Sequence, residues 1–312
     1  MTSDEPQALP AVAVVVPTRC RPELVRLAVA SIVNQRYQGQ IDCIVVHDQE
    51  DPDRSLEVLS RSGRNVRVIA NDGQPGLAGS RNAGLRRATA DFIASCDDDD
   101  TWLPDKLRLQ MERLTASPDT LVVGAGIRLL MPRGRVVEWL GSADLVTAED
   151  LLRSRCKELH SSTLLMRRTA FELAGTYDEK LPHSYAEDFE WLLRVSRHAA
   201  IGVVRAPLAN IRKDGPSWFR ERAGVVAEAL QYVLSEHPEV ARSRRGHARI
   251  LGQIAFAKAS MGERREALTW SRRSLARGPV TPHAVLAIFL LITRVNPSWL
   301  LWSARRVGRG LA

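Results

Sequence analysis

The chain has 312 residues, 45% hydrophobic and 26% charged, enough for a large core and two structural units and ordinary for a soluble protein. The net charge of +8 and a pI near 9.8 point to an anionic partner: a nucleotide, a polyanionic substrate, nucleic acid or a membrane surface. Four scattered cysteines without a C-x-x-C pair argue against a zinc site or a disulfide framework, and the longest apolar run, residues 284–292, is far short of the ~20 residues of a spanning helix.

Residues 11–16 form a continuous β-branched run, the pattern of a strand buried on both faces, and it ends at Pro17-Thr18-Arg19. Pro22 then opens a helix with Leu24, Leu27, Ala28, Ser31 and Ile32 on one face. A second buried strand, residues 41–46, runs into His47-Asp48. A short helix over 54–61 and a third strand over 66–70 follow. The span 76–88 is helical and carries Arg81 and Asn82, and 92–96 is the fourth strand. This alternation predicts a doubly wound, mostly parallel α/β sheet. Ligands of such sheets bind beyond the carboxyl ends of the strands, so Thr18 and Asp48 face the crevice. Neither Gly-x-Gly-x-x-Gly after the first strand nor a G-x-x-x-x-G-K-[ST] loop is present, which weakens dinucleotide and P-loop readings.

Directly after the fourth strand stand Asp97, Asp98, Asp99 and Asp100, followed by Thr101-Trp102-Leu103-Pro104 and a helix over 105–115. Four adjacent carboxylates repel one another and call for a cation. Oxygen ligands at that density suit Mg²⁺ or Mn²⁺, ions that leave coordination sites for phosphates. The plainer alternative is a solvated loop with Asp100 or Thr101 as helix N-cap. Beyond it, 121–131 and 136–140 read as strands around Pro132-Arg133-Gly134. The span 147–155 reads as a helix with Thr147 and Asp150 at capping-box spacing. A strand over 161–166 precedes a helix over 168–174 stopped by Gly175. A helix over 185–197 precedes strands over 201–205 and 208–212. From Trp218 onward the pattern is helical: 219–235, 247–260, 264–276, 282–294 and 297–307. Residues 262–268 resemble one tetratricopeptide-like turn.

Asp97-x-Asp99 in this setting resembles the DxD motif of family 2 glycosyltransferases, inverting enzymes with the GT-A fold. The segment Gly76-Leu77-Ala78-Gly79-Ser80-Arg81-Asn82-Ala83-Gly84 resembles the family's G-x-x-x-A-R-N-x-G, and Glu187-Asp188 its E-D motif. The match runs from about residue 12 to 217. The resemblance implies a metal on Asp99 and Asp97. It implies a donor site of Pro17, Thr18, Arg19, Asp48, Gly76, Arg81, Asp97, Asp98 and Arg212, with Arg81 on the nucleotide or its phosphates. It also implies Asp188 as catalytic base, with Glu187 orienting it. His160 and Trp191 are candidates for the acceptor side. His47-Asp48-Gln49-Glu50 departs from the family's Asp-Asp-Gly-Ser, which leaves the nucleotide open.

The expected activity is metal-dependent inverting transfer of a sugar from a nucleotide-diphospho-sugar to a hydroxyl of a glycan, lipid-linked or small-molecule acceptor. The alternatives are a nucleotidyltransferase, or a non-catalytic nucleotide-sugar-binding or scaffold protein. Nucleic acid is not expected as a partner, since no aromatic-interleaved basic platform appears. The expected division is a GT-A domain over 1–217, with a nucleotide-sugar half (about 11–116) and an acceptor half (about 117–217), and a helical region over 218–312. The cysteine usage and the absence of a signal-peptide pattern suggest a cytoplasmic protein. The apolar positions Val285, Leu286, Ile288, Phe289, Leu290 and Leu291 stand near Trp299, Trp302, Arg294, Arg305, Arg306 and Arg309, so peripheral membrane contact is the second reading of a tail that otherwise packs as helices.

Overall fold

A computed structural model describes residues 9–213 and 222–293. Its first element, β1 (Val12–Thr18), is buried at every position. It lies between β2 (Ile41–His47) and β4 (Phe92–Ser95), and β3 (Arg64–Ala70) flanks β2, all four strands parallel. The expected doubly wound sheet is therefore present in its first half. The second half is mixed. β9 (Leu165–Arg167) runs antiparallel between β4 and β6 (Val122–Leu130). β10 (Ile201–Arg212) runs parallel to β6, and the two-residue β5 (Thr101–Trp102) pairs antiparallel on it. The order is β3-β2-β1-β4-β9-β6-β10-β5, with β7 (Val136–Trp139) on β6 and β8 (Leu145–Val146) on β10.

Helix α1 (Pro22–Val33) starts at its proline and buries Val25, Ala28, Val29, Ile32 and Val33. Leu27, expected on that face, is exposed. The sequence offers apolar residues at both offsets, and docking selects the one with the β-branched residues. Helix α2 (Leu77–Arg87) crosses β1 so closely that a Cβ on Gly84 would stand 2.4 Å from Val15 Cγ1. Helix α3 (Lys106–Thr115) begins after Asp105, with no side-chain cap bond. Asp100 and Thr101 are therefore not its N-cap: Thr101 is in β5, and Asp100 closes the acidic turn. Residues 161–163 form a 3-10 turn where a strand was expected, because local polar bonds compete with the ladder: the Ser162 N–H donates to His160 Nδ1 (3.3 Å) and Thr163 Oγ1 to the Glu158 carbonyl (2.9 Å). The two strands expected over 201–212 are one strand whose register against β6 shifts at Pro207, which has no N–H for the ladder.

Helix α4 (Ala148–Arg153) carries the expected box: the Thr147 N–H donates to Asp150 Oδ2 (3.0 Å) and the Asp150 N–H to Thr147 Oγ1 (3.3 Å). Helix α5 (Arg168–Ala174) stops at Gly175, whose φ of 74° suits glycine. Helix α6 (Glu187–Val195) completes the first of two compact units, residues 1–151, 155–179 and 187–215.

The second unit comprises 152–154, 180–186 and 216–312. Its described helices are α7 (Ala223–Glu236), α8 (Arg244–Ser260), α9 (Arg264–Arg277) and α10 (Pro282–Thr293). The α8–α9 turn holds Gly262 at φ 80°, and residues 262–268 form this turn and the start of α9. The expected helix over 297–307, the start of the one over 219–235, the 214–217 loop, and Arg294, Trp299, Trp302, Arg305, Arg306 and Arg309 lie outside the described residues. Among those described, no helix is long and apolar enough to cross a membrane.

Candidate active site

The carboxyl ends of β1, β2 and β4 converge in the first unit, and the acidic turn follows β4 directly. Asp97 and Asp100 are anchored from below by one serine. The Asp97 N–H donates to Ser162 Oγ (3.0 Å), and that hydroxyl donates to Asp100 Oδ2 (2.6 Å). Ser161 Oγ donates to Asp97 Oδ2 (2.8 Å), and the Arg212 N–H donates to Asp100 Oδ1 (3.0 Å). Arg212 thus meets the turn through its backbone. His160 Nδ1 lies 3.7 Å from Asp100 Oδ2. One ligand atom each from Asp97, Asp100 and His160 fall within 4.8 Å of one another, a set able to hold a metal ion. Asp99, the expected ligand, points instead to Arg21, whose Nη1 donates to Asp99 Oδ2 (3.1 Å) and Asp98 Oδ1 (2.9 Å). Asp98 also accepts from Thr18 Oγ1 (2.9 Å).

The electrostatics follow from crowding and burial. Burial, reinforced by Asp97 and Asp99, pushes the Asp100 carboxyl well above its usual range. Burial also raises Asp98 despite Arg21, and burial with Asp97 and Asp98 raises Asp99. Asp97 is the exception: burial raises it, but Arg81, His160 and Ser161 more than offset this and hold it low. Burial lowers His160 to about 4, leaving a neutral imidazole able to ligate.

Arg81 is 2% exposed. Its Nη2 donates to Asp97 Oδ1 (2.5 Å) and its Nη1 pairs with Glu187 Oε1. Both of its terminal nitrogens thus meet carboxylates, and Tyr177 lies against the guanidinium, its ring centroid 5.6 Å away. Arg81 therefore ties the acidic turn to the start of α6. There Asp188 accepts from Arg155 Nη2 at 3.0 and 3.3 Å and from the Phe189 N–H at 2.7 Å. Burial raises Asp188, but Arg155, Arg81 and His160 outweigh it and keep the carboxylate ionised. Trp191, expected near an acceptor, is a core residue. It is fully buried, stacks on Phe171 at 4.6 Å, and donates from Nε1 to the Gly175 carbonyl (2.8 Å).

Asp48 sits at the end of β2. Both its oxygens accept from the Gly76 N–H (3.1 Å), and it accepts from Asn71 Nδ2 and Gln49 Nε2 (2.9 Å each). Burial raises its carboxyl, but these donors and Arg19 hold it below the usual range. Gly76 has φ 116°, a conformation that favours glycine. Gly79 does not open a ligand path: a Cβ there would meet the Gln74 carbonyl oxygen at 1.8 Å. Pro17 is buried in β1, and Arg19 is exposed on the loop after it.

The sequence reading missed Arg21, Arg155 and the tie that Ser162 makes between Asp97 and Asp100. Asp100 was legible as part of the run. Arg21 and Arg155 are 77 and 33 residues from the acids they meet, and no local pattern marks such pairs.

A mixed sheet of this order, with an acidic turn after its fourth strand and helices following, is the GT-A fold. S. aureus TarS 1-349, solved in complex with UDP-GlcNAc, superposes with a TM-score of 0.59 at 15% identity, covering 96% of this chain and 89% of that one. The mannosyltransferase PcManGT from Pyrobaculum calidifontis, solved with GDP-Man and Mn²⁺, gives 0.54 at 15% identity over 99% and 90%. Residues 13–141 match the family model Glycosyl transferase family 2. The Escherichia coli UDP-Glc:alpha-D-GlcNAc-diphosphoundecaprenol beta-1,3-glucosyltransferase WfgD is 26% identical over 113 residues, 36% of this chain. The chain spans 44% of that relative's length.

Proposed function

We propose that the chain transfers a sugar from a nucleotide-diphospho-sugar to a hydroxyl acceptor, inverting the anomeric centre. The observation that carries this is the buried Arg81, which joins the acidic turn after β4 to the paired acids opening α6. A donor's diphosphate belongs at the first and an acceptor hydroxyl at the second. Solved neighbours hold UDP-GlcNAc and GDP-Man, which supports a nucleotide-sugar donor without choosing the base.

In one displacement, Asp188 takes the acceptor proton as the acceptor oxygen bonds to the anomeric carbon and the carbon–oxygen bond to the diphosphate breaks. The nucleoside diphosphate leaves with the bonding electrons. Glu187, held by Arg81, fixes the start of α6. Asp48, Thr18 and Arg19 line the nucleoside end, and Asp98 and Arg21 the diphosphate end.

The residues present fit a divalent cation. Asp97, Asp100 and neutral His160 offer two oxygens and one nitrogen, and the burial and mutual repulsion that raise Asp98, Asp99 and Asp100 are what a cation relieves. Mixed oxygen and imidazole ligands suit Mn²⁺ more than Mg²⁺. When bound, the ion offsets charge on the departing diphosphate. Asp99, paired with Arg21 here, would be a further oxygen ligand available to such an ion. Thermal stabilisation by a panel of uridine- and guanosine-diphospho-sugars with Mn²⁺ tests the reading. One donor class should raise Tm in Mn²⁺ and not in EDTA. Absence of any shift across the panel would remove the donor assignment.

A further inference from the structure

Among the exposed positions of helix α10, only Thr293, its last residue, carries a polar side chain. Its inner side buries Ala284, Ala287 and Leu290, and the last two pack into a cluster with Ala255 and Phe256 of α8. Its outer side presents Val285, Phe289 and Ile292, which are 49%, 38% and 75% exposed, and Val280 just before it is 66% exposed. Positions 285, 289 and 292 follow the helical repeat, so they form one stripe. No charged residue occurs in Pro282–Thr293. Single exposed apolar residues are ordinary, but a contiguous apolar stripe marks a contact surface.

The stripe has cationic neighbours. Between residues 244 and 293 stand eight arginines and one lysine against two glutamates, whereas residues 1–242 carry three more acids than bases. The basic excess is thus concentrated in the helical unit. Helix α9, which packs beside α10, exposes Arg264, Arg265, Arg272, Arg273 and Arg277. Arg264 Nη2 donates to the Leu291 carbonyl (2.8 Å), which puts its guanidinium beside the Ile292 end of the stripe. An apolar stripe that enters the acyl boundary, bordered by cations that meet anionic headgroups, is the arrangement of an interfacial helix.

We propose that the α9–α10 face docks on a bilayer surface rich in anionic lipid, with Val285, Phe289 and Ile292 inserted and the α9 arginines on the headgroups. This goes beyond sugar transfer and stands whether or not that reading does.

Flotation of the full chain with phosphatidylcholine vesicles, with and without about one-third phosphatidylglycerol, tests it. At about 0.1 M salt the protein should float with the anionic vesicles and several-fold less with neutral ones, and high salt should reduce flotation. Phe289→Asp/Ile292→Asp should lower flotation roughly tenfold with an unchanged circular dichroism spectrum. Phe289→Ser/Ile292→Ser, a milder change at the same exposed positions, should move it the same way. Arg272→Glu/Arg273→Glu should abolish the preference for anionic vesicles. Three results overturn the proposal: wild type that stays at the bottom with every vesicle, apolar variants that float like wild type, or apolar variants that only convert a larger oligomer to monomer. The last would make the stripe an interface between copies.

Discussion

At the scale of single residues, the chemistry rests on carboxylates whose charge states differ although they are neighbours. Asp188→Asn should reduce turnover by about 10²–10⁴-fold with donor affinity nearly unchanged, measured by steady-state kinetics and calorimetry. If donor affinity collapses and saturated turnover survives, Asp188 belongs to the donor site. Arg155 is the nearest cation holding Asp188 low. Arg155→Ala should therefore raise the Asp188 pKa. Under the proposed mechanism activity depends on the ionised form, so the acid limb of the pH–rate profile should move toward neutral pH; a limb that stays put removes Arg155 from this role. Asp100→Asn should weaken Mn²⁺ binding measured by electron paramagnetic resonance, because Asp100 lies in the close ligand set. Mn²⁺ affinity unchanged in Asp100→Asn and lost in Asp99→Asn would return the site to the spacing expected from sequence. Lys106 is a different case. Its Nζ is fully buried with no hydrogen-bond partner, 3.9 Å from the centroid of the Trp102 ring, and burial lowers its pKa from 10.5 to about 7. Between these values the unfolded chain binds more protons than the folded one, so this group makes stability rise with pH. Lys106→Met should stabilise the protein by a few kcal/mol near pH 6, a gain that shrinks toward pH 10. Urea denaturation at both pH values measures it, and a gain independent of pH would contradict the account.

At the scale of elements, the parallel strands were legible because burial on both faces leaves unbroken apolar runs, as in Val12–Thr18 and Ile41–His47. The caps were legible where chemistry is local, as at Thr147/Asp150 and Gly175. The 3-10 turn at residues 161–163 was not, because its polar bonds leave no repeat in the sequence. Nor was the antiparallel insertion of β9, a three-residue strand whose partners are distant in sequence. The site followed the same division. The acid run and the Glu187-Asp188 pair could be read from the sequence; the bridge by Arg81, 106 residues from Glu187, could not. The α2–β1 contact yields its own expectation. Gly84→Ala places a methyl against Val15, so it should cost about 1–3 kcal/mol of stability by chemical denaturation. A neutral result would mean that α2 can lift from β1 without loss.

At the scale of the whole molecule, two units divide the charge. The acidic turn and the paired acids lie in the first, and the excess of arginine lies in the helices of the second. The sequence carried the net charge but not its reason, since composition does not say which helix faces are left open. The central claim is that the bond broken is the one between the sugar's anomeric carbon and the diphosphate oxygen. Phosphorus-31 NMR of the wild-type chain with Mn²⁺, the stabilising nucleotide-diphospho-sugar and a panel of glycan and lipid-linked acceptors tests it most directly. The account predicts that the donor's two signals convert to those of a nucleoside diphosphate, with conversion lost in Asp188→Asn. Appearance of nucleoside monophosphate with sugar 1-phosphate would show cleavage at phosphorus and contradict it.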